Sequence, residues 1–189
     1  MSLRLFVALE LREDVRQAIR ALIADLKPLA RSARWARLEG VHVTLKFIGY
    51  VEEDQVSPIQ AALAEIRSPQ PVDLHFRGVG FFPNDKRPRV IWCGIEASVN
   101  LVPLAKDIEN ALEPLGIAPE SRDFVPHLTL ARFPQPAKLP ALARAAGEME
   151  SRELGRARET EFHLFESILH PSGAEYRRLA SYPFTRGAE

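Results

Sequence analysis

His42-Val43-Thr44-Leu45-Lys46-Phe47 and His127-Leu128-Thr129-Leu130-Ala131-Arg132-Phe133 carry one pattern: His-x-Thr-Leu, then one or two residues, then Phe. Side chains two apart in an extended chain share a face. Read as strands, these stretches turn His42 with Thr44, and His127 with Thr129, to one side. Val43, Leu45 and Phe47, like Leu128 and Leu130, fall on the other. The apolar side buries each strand, and an imidazole and a hydroxyl are left facing something polar.

Each copy closes a similar unit. Strand-like Leu3–Leu9 and a helical segment precede the first, and strand-like Arg89–Ile95 and a helical segment precede the second. Thirty-six positions separate Phe6 from His42, and the same number separate Ile91 from His127. The equal spacing predicts a duplicated strand-helix-strand unit. A pseudo-twofold axis relating the halves would bring both His-x-Thr faces to one cleft.

The 189 residues predict a single domain, 1–189, of two intimately packed lobes. Hydrophobic residues at 46% and charged residues at 26% fit a globular chain with a real core. Lys plus Arg equals Asp plus Glu, 25 each, so the chain is unlike basic proteins that neutralise long runs of phosphates. A nucleic-acid role would be local, such as gripping one terminus. The lone Cys93 lies in an apolar strand and has no internal disulfide partner, which fits a reducing compartment. No apolar run approaches the roughly twenty residues of a membrane span. Leu3–Leu9 is too short for a signal-peptide core and is followed at once by Glu10, Arg12, Glu13 and Asp14. The expectation is a cytoplasmic monomer that does not enter a membrane.

Apolar residues at spacings of three and four predict helices over Glu13–Ala30, Glu52–Ile66, Asn100–Leu112 and Leu139–Met149. Further strands are expected at Val72–Phe76, Glu161–Leu169 and Tyr176–Tyr182, with breaks at Pro69-Gln70-Pro71 and Pro171-Ser172-Gly173. His75 and His163 fall on polar faces and are expected to be exposed, with His170 at a turn. Trp35, among Arg31, Arg34 and Arg37, admits two readings: a core anchor in a solvated basic turn, or a platform on which a base stacks while guanidinium groups hold phosphate.

The paired pattern restricts the chemistry. A zinc site needs three or four ligands, and each strand offers one imidazole with no Cys or carboxylate beside it. No serine stands in a Gly-x-Ser-x-Gly elbow. Two imidazoles facing one cleft suit in-line displacement at phosphorus, one removing a proton from the attacking oxygen and the other donating to the departing one. The hydroxyls of Thr44 and Thr129 would hold non-bridging oxygens where charge builds. Such a scheme requires neither metal nor cofactor. Two alternatives stay open: a non-catalytic module that grips an RNA end or phosphate, and a phosphodiesterase acting on small cyclic nucleotides.

The flanks add a resemblance. Arg4-Leu5-Phe6-Val7-Ala8, Trp35 before His42-Val43-Thr44-Leu45-Lys46-Phe47-Ile48-Gly49, and Pro126-His127-Leu128-Thr129-Leu130-Ala131-Arg132 resemble the LigT-like branch of the 2H phosphoesterase superfamily, as do Glu166-Ser167 with Leu169 and Gly173 with Tyr176. This resemblance implies an α+β, bilobal fold in which two antiparallel sheets flank a central cleft with helices outside. It implies metal-independent opening of RNA 2′,3′-cyclic phosphate termini to 2′-phosphates, and ATP-independent 2′-5′ ligation as the reverse reaction. On the same basis His42 is the acid and His127 the base, with Thr44, Thr129 and Arg132 on the phosphate and Trp35 and Phe124 as candidates for base stacking. Strict alternation sets Arg132 opposite His127, so it reaches the cleft only if the strand bends or bulges near Pro134.

Overall fold

The computed structural model describes residues 2–68, 70–136, 138–170 and 173–184. In chain order the elements are β1 (Ser2–Glu10), α1 (Glu13–Leu26), β2 (Arg34–Trp35), β3 (His42–Glu52), α2 (Glu53–Ala64), β4 (Val72–Phe82), β5 (Val90–Ala97), α3 (Leu101–Leu112), β6 (His127–Arg132), α4 (Pro140–Glu148), β7 (Glu153–Glu159), β8 (Glu161–His170) and β9 (Gly173–Pro183). The strands form two antiparallel sheets, ordered β3-β1-β8-β9 and β2-β6-β5-β4-β7. The fold is the expected bilobal α+β arrangement.

Duplication is visible in the pairing. Each His strand, β3 or β6, runs antiparallel to the leading strand of its own unit, β1 or β5. That leading strand is flanked on its other side by β8 or β4. β1 is buried on both faces: Leu5, Val7 and Leu9 join the main core, while Phe6 and Ala8 form a separate small cluster with Phe165. The helices supply the rest of the main core. Val15, Ile19, Leu22 and Leu26 line the buried face of α1, which packs against β7. Leu101, Leu104, Ile108 and Leu112 do the same on α3, which packs against β3 and α2.

Several expectations need correction. The 36-residue spacing does not join equivalent positions: the register pairs Glu10 with His42 and Gly94 with His127, so Ile91 corresponds to Val7 rather than to Phe6. α1 stops at Leu26, and Lys27–Leu29, with Pro28 inside it, tightens into a 3₁₀ turn. β7 carries charge along an edge strand, burying only Leu154 and Ala157, so its sequence lacks a strand signal. His163 is buried rather than exposed, 3% accessible, with its Nδ1 2.9 Å from Ser181 Oγ. β8 is an inner strand, with Ala8 of β1 beside His163 on one side and Ser181 of β9 on the other, which alternation within β8 alone cannot reveal. Pro69, Pro171 and Ser172, which carry two expected breaks, lie outside the described residues.

Candidate active site

Two bulges at matching positions build the site. Along β1 and β3, Ala8 pairs with Thr44 and Val7 with Lys46, leaving Leu45 without a partner. Along β5 and β6, Trp92 pairs with Thr129 and Ile91 with Ala131, leaving Leu130 without one. An extra residue breaks the alternation of a strand. Leu45 and Lys46 therefore both turn inward, as do Leu130 and Ala131, and the residue after each pair returns to the histidine face.

That residue is Phe47 in one unit and Arg132 in the other, each five positions beyond its histidine. The expectation that Phe47 packs opposite His42 is thus corrected: Phe47 is 42% exposed and lines the cleft. Phe133, its apparent counterpart in the sequence pattern, is 4% exposed in the core. Arg132 reaches the cleft through the bulge at Leu130, before Pro134.

The sheets approach each other along β3 and β6, and both His-x-Thr faces line a single cavity of about 350 Å³. One wall carries Arg4, His42, Thr44, Phe47 and Tyr176; the other carries Arg34, His127, Thr129 and Arg132. No Asp or Glu is among the described residues lining it.

The two imidazoles have different surroundings. His42 packs against Phe165, Tyr176 and Phe6, with ring centroids 4.6, 5.4 and 5.6 Å away. Burial among these rings pushes its pKa down to about 4, only partly opposed by the Gly40 backbone and Glu10. His127 stands edge-on to Phe82 at 5.1 Å. Its Nδ1 is 2.7 Å from the Val125 carbonyl oxygen, which can only accept, so Nδ1 carries a hydrogen and Nε2 is left for chemistry. Gly40 matters to this packing because a Cβ there would lie 2.1 Å from Tyr176 Cε2.

Other candidate residues lie elsewhere. Trp35 packs on the core and donates its indole N–H to the Ala30 carbonyl at 3.3 Å; its neighbours Arg34 and Ala36 line the cavity instead. Phe124 also packs on the core and is absent from the lining. His75 sits between Glu96 and Glu153, and His170 lies 3.2 Å from Glu175. Among the described residues no cluster of three or more His, Cys, Asp or Glu could hold a metal ion. No described helix is long and apolar enough to cross a membrane. Arg4, Phe47 and Tyr176 are cleft residues that a reading of single strands does not reveal, whereas Arg34 stands in the basic turn that the sequence offers as a phosphate grip. Aligning the two copies on their histidines, which matches Phe47 with Arg132, is the signal that finds Phe47.

Over residues 9–92 and 95–176 the chain matches the family described as LigT like Phosphoesterase. It is 33% identical to an RNA 2′,3′-cyclic phosphodiesterase of Methanothermobacter thermautotrophicus over 93% of this chain and 96% of that one. It is also 33% identical to one of Archaeoglobus fulgidus over 94% and 98%. Among solved structures, a Thermus thermophilus protein superimposes with a TM-score of 0.80 at 28% identity, covering 98% of this chain and all of that one (100%). E. coli LigT complexed with 3′-AMP does so with a TM-score of 0.77 at 25% identity, covering 98% and 99%. A duplicated fold, paired His-x-Thr strands at one cavity and a match along most of its length together make this chain a member of the LigT-like phosphoesterase family.

Proposed function

We propose that the protein hydrolyses RNA 2′,3′-cyclic phosphate termini to 2′-phosphomonoesters, with His42 as general acid and His127 as general base. The observation that carries this reading is the convergence of both His-x-Thr pairs on one cavity. The names of the relatives above support the substrate class.

In this scheme His127 Nε2 takes a proton from water as the water oxygen bonds to phosphorus. The P–O3′ bond breaks, and His42 delivers its proton to O3′. Thr44, Thr129 and Arg132 hold the non-bridging oxygens. Burial favours neutral His42 before substrate binds, and an anionic substrate beside the ring favours its cation, so binding charges the acid when it is needed. With an RNA 5′-hydroxyl in place of water as the nucleophile, the same bond breaks and the same proton transfers join the cyclic end to that hydroxyl in 2′-5′ linkage without ATP. Metal ions have no role in either reaction. The reading extends to a monomer in the cytoplasm, where a reducing environment suits free, buried Cys93, whose thiol burial pushes up to about 12.

The test is incubation of chelator-treated protein with an oligonucleotide ending in a 2′,3′-cyclic phosphate, with the product identified by ³¹P NMR. A 2′-phosphomonoester is expected, and His42→Ala or His127→Ala should each lower kcat by about 10²- to 10⁴-fold. Measurable binding without turnover would instead favour a gripping module.

A further inference from the structure

Arg34 on β2 and Arg132 on β6 are direct cross-strand partners. Both side chains line the cavity, and among the described residues neither has a carboxylate partner. Like charges directly opposite each other in a sheet are destabilising. Arg4, the third guanidinium of the cavity, is differently placed: its Nη1 donates to Ser167 Oγ at 2.9 Å and its charge lies 4.6 Å over the Phe47 ring. Two adjacent uncompensated cations therefore stand on one wall.

A cyclic phosphate diester carries one negative charge, and under the proposed reaction Arg132, on the same strand as His127 and Thr129, serves it. Arg34 lies one strand spacing further out, roughly 5 Å. It stands beside the reacting group and toward the open edge of the sheet, where β2 is the last strand. A cation there matches an anion next in line along the substrate rather than the reacting phosphorus.

Resting on the proposed reaction, we infer that Arg34 binds a second phosphate, on the 5′ side of the nucleoside that carries the cyclic phosphate. Arg34 thereby favours nucleotide ends bearing that phosphate over a bare nucleoside cyclic phosphate. The contact is charge-assisted and two-pronged, as guanidinium-phosphate contacts are.

Three substrates test this: adenosine 2′,3′-cyclic phosphate, its 5′-phosphorylated form, and the ApA dinucleotide with a 2′,3′-cyclic end. Wild type should show a KM about tenfold lower for the dinucleotide than for the bare nucleoside. The preference should fall to within about twofold in Arg34→Gln, persist in part in Arg34→Lys, and be intact in Arg31→Gln, an exposed arginine outside the cavity. Affinity for the dinucleotide should also depend more steeply on salt than affinity for the nucleoside, by a slope of about 0.7, and Arg34→Gln should remove the difference. An equal advantage for the 5′-phosphorylated nucleoside supports recognition of phosphate charge, and an advantage confined to the dinucleotide supports recognition of the diester link. A preference that is missing in wild type, that survives Arg34→Gln, or that is replaced by an equal KM rise on all three substrates overturns the assignment. Absence of turnover on every substrate would count against the proposed reaction alone. Calorimetric affinities of wild type and Arg34→Gln for the dinucleotide 2′-phosphate would then still decide the role of Arg34.

Discussion

Lys46 in the β3 bulge and Glu109 on α3 form a buried ion pair, Nζ to Oε1 2.7 Å, that ties one half of the duplicated fold to the other. The bulge turns Lys46 inward until its side chain is 1% exposed, and Nζ also donates to the Ala118 carbonyl at 2.7 Å. Glu109 accepts the Glu120 backbone N–H at 3.0 Å. Burial opposes charge on Glu109, yet Lys46 and the Glu120 amide together hold its carboxyl below the usual range. The strand carrying His42 is thereby anchored to the unit carrying His127.

Removing one partner of such a pair leaves a buried charge uncompensated, at about 3 kcal/mol or more. Lys46→Met is expected to lower unfolding free energy by that order in denaturant titrations. The Lys46→Met, Glu109→Leu double variant should recover much of the loss, a non-additivity that independent sites do not show.

The burial of His42 has a pH signature. The unfolded chain takes its proton near the ordinary 6.5 and the folded chain near 4. Unfolding therefore takes up a proton between these values: the stabilisation is complete above pH 6.5 and lost as pH falls to about 4. At about 1.4 kcal/mol per unit, the loss is about 3 kcal/mol. Equilibrium unfolding at pH 7 and pH 4.5 should reveal a smaller drop in His42→Gln than in wild type. NMR titration of the His42 ring should give a value near 4, raised by Phe165→Leu and raised again by added inorganic phosphate.

Gly40 leaves room for the Tyr176 ring beside His42. Gly40→Ala must swing that ring aside, so kcat/KM should fall while stability changes by only about 1 kcal/mol. In Tyr176→Ala the clash partner is gone, and adding Gly40→Ala should then have little further effect. A double-mutant cycle on kcat/KM measures this coupling.

Much of this architecture is legible in the sequence because period-two alternation reports burial wherever a strand is regular. Both His-x-Thr faces are of that kind, while the continuous apolar run of β1 and the three-and-four spacing of apolar residues in α1 and α3 report burial in their own ways. Alternation fails at Leu45 and Leu130, where one extra residue flips the faces of the residues just after it, which is why strict alternation sets Phe47 and Lys46 on the wrong faces. It is also silent on what neighbouring strands supply, as with His163 between Ala8 of β1 and Ser181 of β9. The partners of Arg4 and Arg34 come from remote parts of the chain, so their positions at the cleft are properties of the assembled sheets alone.

In the proposed reaction His42 protonates the departing O3′ while His127 activates water. A 2′,3′-cyclic phosphate with sulfur in place of O3′ separates these two roles, because a thiolate leaves without a proton. Single-turnover rates of His42→Ala should fall about 10²- to 10⁴-fold on the oxygen substrate and recover on the sulfur one, while His127→Ala stays impaired on both. Equal impairment of His42→Ala on the two substrates, or undiminished turnover in either variant, would contradict the assignment.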